Sequence, residues 1–224
     1  MNNSNCKPAC SLVHPPPAYF SHLNSMQFSN QQIVERLLSV IENDIVPLTR
    51  DGVSKGNKIF GGAILLKKDL SLVLAGTNNE TANPLYHGEI HTMELLYQMP
   101  KEERPDPKDC IFFATHEPCT LCLSAITWGG YDNFYYLFSH EDSRDDFHIG
   151  HDLRILKEVF RLDPGGYARQ NDYWTAYRIA NLIADFGETQ QDGFNQRIEG
   201  LKKTYADLSD VYQARKEDSD IPLK

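Results

Sequence analysis

CIFFATHEPCTLCLSAITWGGYDNFYYLF, residues 110–138, decides how this chain folds. It opens on the apolar run Cys110 to Ala114, which reads as a strand buried on both faces. Pro118 then opens a helix over Cys119 to Trp128, proline being harmless in a first turn where its missing amide has no partner to lose. Gly129-Gly130 ends that helix, and Phe134 to Phe138 reads as a second apolar strand.

Upstream, Ser29 with Gln32 three residues later is a capping-box pattern. Ile33, Leu37, Ile41 and Ile45 recur every fourth residue and mark an amphipathic helix, which Pro47 is expected to stop. Ile59 to Leu66 and Leu70 to Ala75 read as two strands of a hairpin around Lys67-Lys68-Asp69. A polar loop from Gly76 to Pro84 follows, then a helix from His87 to Met99. The order α-β-β-α-β-α-β implies an α/β fold, a three-layer αβα sandwich with a mixed central sheet, over residues 29–163.

Residues 1–28, with Pro15-Pro16-Pro17 and a single charge at Lys7, read as an extended N-terminal arm in which Cys6 and Cys10 are incidental. Pro164-Gly165-Gly166 breaks the chain, and residues 164–224 are expected to form a C-terminal helical extension of two segments, Asn171 to Phe186 and Gln190 to Gln213. In the second, Phe194, Ile198, Leu201, Tyr205, Leu208 and Tyr212 alternate in steps of four and three. That seam suits either a helix pair in a dimer or a helix docked on its own core.

The chain has 224 residues, 41% hydrophobic and 24% charged, within the range of globular proteins. Its net charge is −9. The densest charge run, Glu141, Asp142, Asp145, Asp146 and Asp152, is acidic, which disfavours nucleic acid, since phosphate backbones are held by clustered Lys and Arg. No apolar run approaches the ~20 residues that span a bilayer, and the first ten residues lack a signal-peptide core, so a cytoplasmic protein without membrane contact is expected. Five cysteines at irregular spacing argue against a disulfide framework and for metal binding or catalysis.

Two motifs carry the chemistry. His87-Gly88-Glu89 lies at one loop-to-helix junction and Pro118-Cys119-Thr120-Leu121-Cys122 at another. One imidazole and two thiolates suit Zn²⁺ and leave a fourth position for water. Cys119 and Cys122, one helical turn apart, can face one ion, and a helix N-terminus favours their thiolates. Glu89 is close enough to exchange protons with a water whose pKa the metal lowers to about 7. His-x-Glu with Pro-Cys-x-x-Cys is a known zinc deaminase signature.

On these motifs the chain resembles the cytidine deaminase superfamily over residues 29–160. Gly76 to Asn79 with Pro84 and His87, and the stretch Cys119 to Trp128, are similar to bacterial guanine deaminases. Leu85 to Ile90 is similar to fungal cytosine deaminase. The resemblance implies hydrolytic removal of an amine from a free nucleobase or similar small aminated heterocycle, guanine or cytosine being favoured. It implies His87, Cys119 and Cys122 as ligands of one Zn²⁺ per chain, Glu89 as the catalytic proton carrier, and a homodimer. Substrate contacts are expected from Asn78, Asp152, His116 and Trp128, although His116 equally suits a loop histidine bonded to backbone and Trp128 a helix end or subunit contact.

Two other readings stay open. A tRNA adenosine deaminase shares the motif but would want a basic face. A non-enzymatic zinc module for assembly would have no need of Glu89, and would take a fourth ligand from His91 or His116. The string His87-Gly88-Glu89-Ile90-His91 places its carboxylate differently from the His-Glu-x-x-His of zinc proteases.

Overall fold

The computed structural model describes residues 27–162, 165–219 and 221–224; the arm read over residues 1–28 lies almost wholly outside them. The chain forms a five-stranded sheet in the order β2-β1-β3-β4-β5. β1 (Gly61–Leu66) pairs antiparallel with β2 (Leu72–Thr77) and with β3 (Cys110–His116). β3 pairs parallel with β4 (Asn133–Phe138), and β4 with β5 (Thr175–Arg178).

Alternation along the strands sorts the side chains into two cores, because successive residues face opposite sides of a sheet. On one face Ala63, Leu65, Ile111, Phe113, Tyr135 and Leu137 pack against the first helix and the C-terminal helices. On the other, Ile64, Phe112, Phe134 and Tyr136 pack with residues of α3 (Gly88–Gln98) and α4 (Thr120–Trp128). The mixed sheet is therefore covered on both sides.

The first helix starts as its sequence predicts: the Ser29 hydroxyl accepts from the Gln32 amide and the Gln32 side chain accepts from the Ser29 amide. It does not stop at Pro47. α1 (Asn30–Val40) passes through a π-helical turn, Ile41–Ile45, into α2 (Val46–Ser54). The amide of Val46 reaches back to the carbonyl of Ile41, and Pro47 falls in the first turn of the restarted helix. There its missing N–H interrupts nothing, so the wider turn accommodates the proline that the sequence reading took as a stop.

Two further expectations are corrected. Asn171 to Phe186, read as one helix, contains β5 and then α7 (Ile179–Ala184). Pro118 precedes α4 rather than occupying its first turn, since Cys119 is the N-cap residue. Between β4 and β5 lie α5 (His140–Asp145) and α6 (His151–Glu158). In the last helix, α8 (Glu188–Arg215), Phe194, Leu201, Tyr205, Leu208 and Tyr212 are all buried in the core of this same chain. Of the two uses open to that seam, it is docked on its own core, helped by Arg197 bridging Glu35 and Glu42 of the first helix region. Among the described residues no helix is long and apolar enough to cross a membrane.

Candidate functional site

Both motifs sit where helices begin against the sheet. His87 is the N-cap residue of α3 and Cys119 that of α4, each in extended backbone conformation. Gly88 is needed where it stands: a Cβ there would lie 2.8 Å from the Cα and N of Gly61 and the carbonyl carbon of Phe60. Gly62 and Gly76, register partners on β1 and β2, lie beneath Thr92 of the same helix. A glycine-paved strip thus lets α3 approach the sheet closely enough to bring His87 beside α4.

The result is one compact donor set. His87 Nδ1 lies 3.4 Å from Cys119 Sγ and 3.7 Å from Cys122 Sγ, and the two sulfurs are 3.6 Å apart. Bond lengths of about 2.3 Å to sulfur and 2.0 Å to nitrogen around a tetrahedral ion require edges of roughly 3.5–3.8 Å. The three donors therefore fit Zn²⁺ as they stand, with a fourth vertex left over. Electrostatics agree. Hydrogen bonding to Cys122 and to the His87 ring holds the Cys119 thiol well below its ordinary range, while burial pushes Cys122 up. Burial opposes the charged imidazole of His87, yet the Cys119 hydrogen bond and the negative charge of Cys119, Glu89 and Glu80 outweigh it and raise its pKa to about 9. Such a cluster, rich in negative charge, is what a divalent cation neutralises.

Glu89 is buried beside these donors, and burial together with the Cys119 charge raises its carboxyl to about 7. A carboxyl poised there can both accept and return a proton near neutrality. The site opens into a cavity of about 270 Å³, slightly under the usual size of small-molecule pockets. Phe60, Leu85, Leu121, Ile149, Ile155 and Ile221 supply apolar wall. A small flat ring suits it.

Residues 46–138, which hold both motifs, match the family model described as "Cytidine and deoxycytidylate deaminase zinc-binding region". That stretch of the chain is similar to the zinc-binding region of cytidine and deoxycytidylate deaminases. It is 30% identical to guanine deaminase of Bacillus subtilis (strain 168) over 102 residues, 45% of this chain and 64% of that protein. It is 23% identical to a probable cytosine deaminase of Schizosaccharomyces pombe over 114 residues, 51% of this chain and 67% of the other. The match to the guanine deaminase therefore spans less than two thirds of that relative. A solved guanine deaminase from Nitrosomonas europaea aligns over 76% of this chain and 84% of its own, at 18% identity and a TM-score of 0.46.

The structure brings His87, Cys119 and Cys122 together with Glu89 buried beside them, and scatters the residues expected to contact substrate. Asp152, on the first turn of α6, lines the cavity, and burial pushes its carboxyl up to about 6. His116 also lines it, but inside a ring of Phe60, Phe138, Phe147 and Tyr205 whose centroids lie 4.8–5.2 Å away. Burial lowers its pKa to about 3, so it stays neutral, with Nε2 unpartnered and Nδ1 2.9 Å from the Thr115 hydroxyl. Asn78 does not line the cavity. It is buried behind the wall, its amide donating to Glu80 at 2.7 Å. Trp128, at the far end of α4, is 91% exposed and is not part of the cavity lining. His91 is tied to the Thr77 carbonyl at 2.7 Å and lies outside the donor set.

Three site residues escaped the sequence reading. Lys58 and Glu80 form a buried ion pair of 2.7 Å in the cavity wall. Glu117, also in the wall, accepts from Tyr167 (2.7 Å), Arg169 (3.1 Å) and the His140 amide (3.1 Å). His140 Nε2 lies 3.2 Å from the Pro118 carbonyl, so this cluster braces the loop that carries Cys119. Only adjacency to Pro118 could have marked Glu117; nothing local marks Lys58 or Glu80.

Proposed function

We propose that this chain is a zinc-dependent hydrolytic deaminase of a free nucleobase or similar small aminated heterocycle, with guanine and cytosine the favoured substrates. The observation that carries this is the buried Glu89 carboxyl standing beside three donors that fit Zn²⁺, at the wall of a cavity sized for one small ring. His87, Cys119 and Cys122 would hold the ion. Bound there, it supplies Lewis acidity and lowers the pKa of water.

Glu89 takes the proton that water gives up on attacking the ring carbon bearing the amine. It delivers that proton to the adjacent ring nitrogen and then carries the proton of the added hydroxyl to the departing amine, so amine plus water becomes carbonyl plus ammonia. The apolar walls hold the ring and exclude bulk water, which strengthens every polar contact at the reacting edge. Asp152 lines the cavity, and its carboxyl, pushed up to about 6 by burial, would hold a proton there. The net charge of −9 favours a small molecule over tRNA as substrate.

The test is ammonia release from guanine, cytosine, adenine, their nucleosides and aminated triazines and pterins, with Glu89→Ala as the blank. Release from one free base that vanishes in Glu89→Ala, with zinc retained, is the expected result. Turnover surviving in Glu89→Ala would overturn it, as would silence across the panel. The same reading places the protein in the cytoplasm as a homodimer. The α8 seam is used within the chain, so the contact is assigned instead to the surface around exposed Trp128. A monomeric mass by light scattering at micromolar concentration overturns that part.

A further inference from the structure

We propose that Lys58, held by Glu80 in the cavity wall, is the specificity-determining residue of this site, and that it selects heterocycles carrying a hydrogen-bond-accepting oxo group over those without one. The proposal rests on the deaminase reading and names its substrate class more narrowly.

Lysine is rarely buried, and Lys58 is 5% exposed and Glu80 3%. A buried ion pair is a poor stabiliser, because desolvating both charges offsets most of their attraction, and an apolar pair of the same shape would pack as well. A purely structural need therefore does not account for its place in the wall of a substrate cavity. Glu80 is engaged by the protein from several sides. Its Oε1 takes the Lys58 ammonium, and its Oε2 accepts from the Asn78 amide at 2.7 Å and, more distantly, from the Lys58 backbone. Oε1 also stands 3.9 Å from His87 Nε2, behind the metal donors. Glu80 thus acts as a holder: it neutralises Lys58 and fixes its head in the cavity wall, one carboxylate away from His87.

Lys58 is not saturated in the same way. An ammonium has three donors and no acceptor, and among the described residues Glu80 is its one ion-pair partner. Asp152 and His151, also in the lining, sense its charge, but among the described residues only Glu80 accepts a hydrogen bond from it. A bound ring with an oxo group supplies a further acceptor to a pre-positioned, desolvated ammonium, and a ring lacking one leaves the donors that Glu80 does not take unsatisfied. Sites of this kind reject the analogue without the polar group far more strongly than apolar pockets discriminate by size.

Two measurements test this, steady-state kinetics and calorimetric binding. The ligands are cytosine and guanine, which carry an oxo group, and adenine and melamine, which do not, with uracil and xanthine as oxo-bearing products that bind without turnover. Because Lys58→Met alone strands a buried carboxylate, the double variant Lys58→Met/Glu80→Gln is measured beside it, with zinc content and Tm as controls. Expected for both variants is a roughly 10- to 100-fold rise in KM and Kd for the oxo-bearing rings. The rings without an oxo group should be unchanged or bound more tightly, with zinc retained in the double variant. Equal losses for both ligand groups, or none, would overturn the role of Lys58 while leaving the deaminase reading intact if the wild type still releases ammonia. Binding of uracil or xanthine that depends on Lys58, with no turnover of any amine, would sustain this inference and sink the reaction. A wild type that binds none of the six overturns both.

Discussion

Replacing Gly88 with alanine adds one methyl group against backbone that cannot give way. Its Cβ would lie 2.8 Å from three backbone atoms of Phe60 and Gly61, roughly 0.6 Å inside the 3.4 Å at which ordinary contact begins. None of the three can rotate aside, being main chain at the start of β1. The start of α3 must therefore lift by a similar amount, carrying His87 and Glu89 with it. Zinc sites tolerate ligand displacements of about 0.2 Å, so a movement several times larger withdraws His87 from the donor set. Overpacking of this kind costs about 1–3 kcal/mol, a fall in Tm of about 2–12 °C for a chain of this length. Weakening of zinc affinity by about tenfold or more should accompany it. Differential scanning fluorimetry and chelator competition measure the two quantities on the same sample. Gly193→Ala is the control: it lies mid-helix in α8 with nothing within 4 Å of a Cβ, and should gain about 0.5–1 kcal/mol. If Gly88→Ala keeps both the wild-type Tm and the wild-type zinc affinity, the glycine strip does not position the site.

His116, lowered to about 3 in the fold, binds its proton in the unfolded chain first, so between roughly pH 6.5 and 3 it makes stability fall with falling pH, by up to about 1.4 kcal/mol per unit. Urea unfolding of His116→Asn should show a flatter acid limb, and parallel limbs for wild type and variant would remove His116 as the cause. Tyr167→Phe deletes a hydrogen bond to the buried Glu117 carboxylate and should cost about 1.5–3 kcal/mol in urea unfolding. Arg169→Ala, at a half-exposed side chain, should cost about 1 kcal/mol or less, and the reverse ranking would mean that Arg169 is the main brace. Trp128→Ala should leave zinc content and KM unchanged and alter only self-association; a rise in KM would return Trp128 to the substrate.

The sheet, its mixed character and both zinc-bearing helices were legible because each rests on local patterns: alternating or continuous apolar runs, a capping box, glycine breaks. β5 was not. Thr175 to Arg178 is four residues long, only half buried, and runs straight into the apolar helix Ile179–Ala184, so its periodicity is swallowed by its neighbour's. Pro47 misled for a different reason: a π turn leaves no mark in composition, and only packing decides whether a proline ends a helix or begins its next segment. At the site the metal donors were visible as spacing, whereas the Lys58–Glu80 pair spans 22 residues of unremarkable loop and strand and exists only once β1 and the 78–87 loop are folded together. Trp128, which composition leaves open between base stacking and a helix-end or subunit contact, stands exposed at the outer end of α4.

The two helix starts have a thermodynamic consequence. An N-cap normally carries a side chain that satisfies the first free amides, worth about 1 kcal/mol, yet neither His87 nor Cys119 makes such a bond. Both caps are given over to the donor set, so the ends that most need holding down are held by whatever cation the donors take. Secondary structure and metal loading are thereby linked as one equilibrium, and the stability of the fold becomes a readout of the free zinc around it, rising by about 1.4 kcal/mol for each tenfold increase above the dissociation constant.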